Sequence, residues 1–135
     1  HLFNGAFGKK WFDYTVAINK HAEGILFSRE ELLNADDYAF PYKEALICLT
    51  QNETSNGTQI DTATLKRFRN NNPEALIAID ATSSMGGIKL DFKQADVWFA
   101  SVQKCFGLPA GLALMVCSPR ALSRAIQINE RLHYN

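Results

Sequence analysis

A chain of 135 residues suits one domain, or a piece of one, and its 47% hydrophobic content supplies a core and argues against wholesale disorder. The 14 Lys plus Arg balance the 14 Asp plus Glu, which leaves no electrostatic footprint for nucleic acid or an anionic membrane. No apolar run approaches the length that crosses a bilayer.

Residues Asn4 to His21 read as a helix. Phe7, Trp11, Tyr14 and Ile18 recur at spacings of four, three and four, which is one helical face, and Asn4 is placed to cap it. Within it, Gly5-Ala6-Phe7-Gly8-Lys9-Lys10 invites a phosphate-loop reading. That reading fails, because the spacing is not G-x-x-x-x-G-K-[ST] and no strand is expected before it. Ile25 to Phe27 is a candidate short strand. Ser28 to Glu31 looks like a helix start with a capping box, broken by Asp36-Asp37 and Pro41. Pro41 to Glu44 leads into Ala45 to Leu49, a compact apolar run expected as a buried parallel strand. A polar loop, Thr50 to Gly57, follows; in open α/β sheets ligands sit just beyond such strand ends. Its two glycosylation sequons, at Asn52 and Asn56, are read as accidental.

Asp61 to Asn71 is the next helix, with Asp61 or Thr62 as cap, Leu65 and Phe68 inward, and Lys66, Arg67 and Arg69 in solvent. Ala75 to Ile79 is expected as a strand ending at Asp80. Ile88 to Phe92 is a short segment, Asp91 to Ala95 one helical turn, Val97 to Val102 a further strand and Ala110 to Val116 another. Pro119 to Arg131 is a helix with Ser118 as cap and Pro119 at its first position. This alternation implies an α/β sheet layered with helices.

Two residues carry the chemistry. Asp80 ends one apolar run, and Lys104 follows another. A lysine after a strand is ordinarily a surface residue. Beside a carboxylate at a neighbouring strand end it has a second use: the amine forms an imine with an aldehyde while the carboxylate holds a pyridinium nitrogen. A partly buried Lys104 near cationic groups would have a lowered pKa, suited to attack and to proton transfer. Asp96 starts a strand and so points to the opposite end of a parallel sheet; Asp91 is unplaced. His21 and His133 are lone histidines with ordinary roles. Cys48, Cys105 and Cys117 lie in apolar settings without C-x-x-C. They read as reduced core residues of a cytosolic protein, neither a disulfide frame nor a zinc or other metal site.

Three pieces, Ile79-Asp80-Ala81-Thr82-Ser83-Ser84, Ser101-Val102-Gln103-Lys104-Cys105-Phe106-Gly107-Leu108-Pro109-Ala110-Gly111-Leu112 and Asn52-Glu53-Thr54-Ser55-Asn56-Gly57, together resemble class V aminotransferases of fold type I. The phosphoserine aminotransferases and their serine–glyoxylate and alanine–glyoxylate cousins resemble it most. The resemblance implies a mainly parallel sheet sandwiched by helices. It makes residues 1–135 the middle of the large domain that binds pyridoxal phosphate, with the phosphate-binding turn upstream and the small domain downstream. It also implies a cytoplasmic homodimer acting on an amino acid (phosphoserine, serine or alanine) and a 2-oxo acid (2-oxoglutarate or glyoxylate), the first pair belonging to serine biosynthesis.

By the same resemblance, Lys104 carries the Schiff base and Asp80 meets the pyridine nitrogen. Thr54 meets the phenolic oxygen, Gln103 the phosphate, and Phe7 stacks on the ring. Cysteine desulfurases and related lyases usually carry a histidine where Phe7 stands, which favours amino transfer. A domain that keeps the scaffold without activity is the remaining alternative.

Overall fold

Short apolar runs become strands and capped amphipathic stretches become helices in the computed structural model, which describes residues 1–28, 31–41 and 45–129. The order is β1 (Leu2–Phe3), α1 (Ala6–Ala17), β2 (Ile25–Leu26), β3 (Leu46–Thr50), β4 (Asn52–Glu53), β5 (Thr58–Gln59), α2 (Thr62–Asn71), β6 (Leu76–Asp80), β7 (Val97–Ser101), β8 (Ala113–Cys117) and α3 (Pro119–Ile128). Single 3-10 turns lie at Ala35–Asp37 and Phe92–Gln94.

Six strands form one sheet in the order β2-β1-β3-β6-β7-β8. All pairs are parallel except β7 with β8. β3 and β6 pair in register from Leu46 with Leu76 to Thr50 with Asp80. Ile47, Cys48 and Leu49 are buried in succession, as are Ile77, Ala78 and Ile79. A strand covered on both faces has no polar side to show, which is why these segments read as unbroken apolar runs. Leu65 and Phe68 of α2 join Leu49, Ile77, Ile79 and Trp98 in the core. The Asp61 carboxylate accepts the Thr64 N–H at 2.6 Å to start α2, and the Ser118 hydroxyl accepts the Ala121 N–H at 3.1 Å to start α3. Among the described residues no helix is long and apolar enough to cross a membrane.

Several expectations change. α1 starts at Ala6 and ends at Ala17, and Asn4 is a buried residue, not its cap. The stripe of Phe7, Tyr14 and Ile18 is 49%, 60% and 50% exposed. α1 meets the sheet through Trp11 of that stripe, edge-on to Phe99 at 4.9 Å, through Phe12, stacked on Phe3, and through Gly8, where a Cβ would come within 2.6 Å of Phe3 Cβ. Helical periodicity locates an apolar face but does not say that this domain covers it. A strand, β1, does precede the glycine-lysine segment, so only the spacing stands against a phosphate loop.

Ser28 is not helical, and Asp36 and Asp37 lie inside a 3-10 turn capped by Asn34. Arg29, Glu30, Tyr42 to Glu44, Arg131 and His133 lie outside the described residues, so the helix start at Ser28, the approach to β3 and the far end of α3 are described only in part. Arg69 is not a solvated cation: its guanidinium donates to the carbonyls of Asn72 and Ala75 and to Asp96. Cys48 is buried as expected, whereas Cys105 is exposed and Cys117 half-buried.

Candidate active site

Parallel strands all end on one edge of a sheet, and whatever follows them gathers there. β1, β3, β6 and β7 end at Phe3, Thr50, Asp80 and Ser101. Phe7 lies in the first turn of α1, just after β1. Thr54 follows β3 within the β4–β5 hairpin, Asp80 closes β6, and Gln103 with Lys104 follow β7. The fold therefore brings all five residues singled out in the sequence to the carboxyl edge. Asp80 is central, paired in register with Thr50 on one side and Phe99 on the other. The turn after β6 and the turn that bears Lys104 lie in contact: a Cβ added at Gly87 would come within 2.7 Å of Cys105 Sγ.

The side chains at this edge keep capacity in reserve. Asp80 is half-buried, and its Oδ1 accepts the Thr82 N–H at 2.9 Å. Lys104 and Thr54 are exposed, and among the described residues neither side chain has a hydrogen-bond or ion-pair partner. Lys104 is thus more open than the partly buried lysine expected. Gln103 is exposed and its Oε1 accepts from the Ser101 hydroxyl. The Phe7 ring has no aromatic partner among the described residues. Two further acceptors near the same edge, Thr50 Oγ1 and Asn52 Oδ1, are buried without a partner.

The amino edge is different. Asp96 sits there, as expected, and accepts five hydrogen bonds: from Arg69 Nη2, Arg120 Nε and Nη2, the Ile77 N–H and the Ser118 hydroxyl. Burial pushes the Asp96 carboxyl up, but the Arg120 hydrogen bond, the Ile77 N–H, the Arg69 charge and the Ser118 hydroxyl outweigh it and hold it below the ordinary carboxylate range. A cleft of about 510 Å³ on this side is lined by Arg69, Trp98, Asp96 and Arg120, whose charges are already paired. Asp91 caps the 3-10 turn that leads into β7, and His21 lies ahead of β2, so neither falls at the carboxyl edge.

The sequence profile of the family described as Aminotransferase class-V matches residues 28–129. The chain belongs to that family. A phosphoserine aminotransferase of Rhodococcus opacus (strain B4) is 36% identical over 132 residues, covering 96% of this chain and 34% of its own length. The crystal structure of a phosphoserine aminotransferase from Cytophaga hutchinsonii superposes with a TM-score of 0.86 at 32% identity, over 99% of this chain and 38% of that one. An aspartate aminotransferase of Thermus thermophilus superposes with a TM-score of 0.77 at 26% identity, over 91% of this chain and 36% of that one. The chain thus spans about a third of the length of the curated relatives it matches.

In this class-V aminotransferase chain, residue-by-residue reading missed Glu53. It passed for a turn-former, yet it is 2% exposed and fully engaged by donors from α1 and Ser55. A signal was present in the sequence: α1 opens on Gly5 and has no acid in its first turn, so its first N–H groups need an acceptor from elsewhere.

Proposed function

We propose that this chain is part of the large domain of a pyridoxal phosphate-dependent aminotransferase, cytosolic and homodimeric. It moves an amino group between an amino acid and a 2-oxo acid. Phosphoserine with 2-oxoglutarate is the favoured pair, as the names of the Rhodococcus and Cytophaga relatives support. Serine or alanine with glyoxylate follows. The observation that carries the reading is a half-buried carboxylate that closes one strand and, in the turn after the adjoining strand, an amine unpaired among the described residues, both at one sheet edge.

The donor set fits the cofactor. An anion suits a protonated ring nitrogen, a free amine suits an aldehyde, a hydroxyl suits a phenolate, an amide suits a phosphate, and an exposed flat side chain suits a ring face. When bound, the cofactor supplies an electron sink for the charge left as the substrate loses its Cα proton. Asp80 would hold the protonated ring nitrogen. Lys104 would hold the aldehyde carbon and, once the substrate amine has displaced it, would carry the proton away from Cα. Thr54 would donate to the phenolic oxygen and Gln103 to the phosphate, and Phe7 would cover a ring face.

Borohydride reduction of the full-length protein with pyridoxal phosphate, followed by peptide mapping, tests this. A pyridoxyl group on Lys104 is expected. No adduct, or an adduct on another lysine, refutes the reading. A panel of amino donors then chooses among phosphoserine, serine and alanine.

A further inference from the structure

One buried acid has no part in the chemistry above. Glu53 accepts the N–H of Gly8 at 2.9 Å, of Phe7 at 3.3 Å and of Ser55 at 3.2 Å, together with the Ser55 hydroxyl. A buried carboxylate is costly unless donors surround it, and here they do. The need runs both ways. The first N–H groups of a helix lack partners within it, and the Gly5 cap of α1 brings no side-chain acceptor. Glu53 supplies that acceptor from a hairpin distant in sequence, with its charge at the favourable end of the helix dipole.

The hairpin reinforces the joint. The Ala6 N–H donates to Ser55 Oγ at 2.8 Å, Asn56 Nδ2 to the Asn4 carbonyl at 3.1 Å, and Asn4 Nδ2 to Thr58 Oγ1 at 2.9 Å. A Cβ on Gly5 would stand 2.3 Å from Glu53 Cγ, so glycine is what lets the carboxylate reach the helix.

We propose that Glu53 is a positioning residue of the candidate active site. It locks the turn that carries the Phe7 ring to the hairpin that carries the Thr54 hydroxyl, so that a ring face and a hydroxyl are presented in one fixed relation. The proposal rests on the aminotransferase reading of this edge. Glu53 touches no reacting atom. Because it fills the anion site that a helix start offers, the cofactor phosphate is not held at α1.

The test uses the full-length protein as wild type, Glu53→Ala and Glu53→Gln. Amide exchange without cofactor should quicken about 10-fold or more at Phe7 and Gly8 in Glu53→Ala and stay unchanged in β3 and β6, the pattern of local opening. Pyridoxal phosphate should bind about 10-fold more weakly, the cost of losing hydrogen bonds to a charged group. The visible circular dichroism band of the bound cofactor should lose intensity. Glu53→Gln, which keeps the shape and one acceptor, should recover part of each effect. Should Glu53→Ala fail to fold, Glu53→Gln decides on the same readouts. Unchanged exchange at Phe7 and Gly8, or altered exchange with wild-type affinity and dichroism, overturns the proposal alone. A wild-type protein that binds no cofactor overturns the aminotransferase reading and the proposal together.

Discussion

The two edges of the sheet solve opposite problems with similar residues. At the amino edge Asp96 is surrounded by Arg69, Arg120, Ser118 and the Ile77 N–H, and nothing is left for a ligand. At the carboxyl edge Asp80 has a single hydrogen-bond donor, and Lys104 and Thr54 have none among the described residues. A closed polar network stabilises a fold; an open one costs stability and is tolerated where something else completes it. The contrast distinguishes a carboxylate that holds the chain together from one left largely open.

Substitutions should separate the edges. In the full-length protein, Lys104→Ala should lower kcat by at least about 10³-fold, since it removes the group proposed to move the proton. Its denaturation midpoint without cofactor should match wild type, because no contact within the described chain is lost. Parallel losses of rate and stability would break the distinction.

Asp96→Ala is the converse. It strands two arginines and a backbone N–H, and should cost about 3 kcal/mol in chemical denaturation while kcat per folded molecule is retained.

The legible parts of the fold were those that local chemistry decides. β3 and β6 announce themselves because strands buried on both faces must be apolar throughout, and α2 and α3 because Asp61 and the Ser118-Pro119 pair are start signals. Once those strands are parallel, Asp80, Thr54 and Lys104 fall at one edge without further information. What was misread depends on distant partners. β1 has two residues, too few for any periodicity. The apolar stripe of α1 was legible, but of its four residues Trp11 alone is half-buried, and part of the helix's seat is a glycine, which hydropathy does not register. Arg69 looked like one of three surface cations until the fold set Asp96 beside it, and Glu53 like loop filler until α1 lay across it.

Acid sharpens the comparison further. The Asp96 carboxyl is held below its ordinary value in the folded protein, so the folded state binds fewer protons there than the unfolded chain. Its contribution is therefore complete above the unfolded value of about 3.9 and is lost as pH falls through the lower folded value. Denaturant midpoints of wild type and Asp96→Asn should differ by a constant amount near neutrality and draw together as pH falls below the unfolded value of about 3.9.

The smallest effect is a difference in labelling. Burial pushes the Cys48 thiol up to about 12, whereas Cys105, in the turn beside Lys104, is exposed. In the cofactor-free, full-length protein at about pH 8, a disulfide reagent should modify Cys105 rapidly and leave Cys48 untouched until unfolding. Slow labelling of Cys105 would show that the carboxyl edge is less accessible than its geometry indicates.

The reversal of the last strand has a consequence for traffic. Because β8 runs against β7, the polypeptide leaves the sheet at the rear, where the Ser118 N–H bonds the Asp96 carbonyl at 2.7 Å and α3 begins. A parallel final strand would have delivered the following helix to the front. Turning back instead keeps that helix behind the sheet, away from the edge where β6 closes on Asp80 and β7 runs into the turn of Lys104.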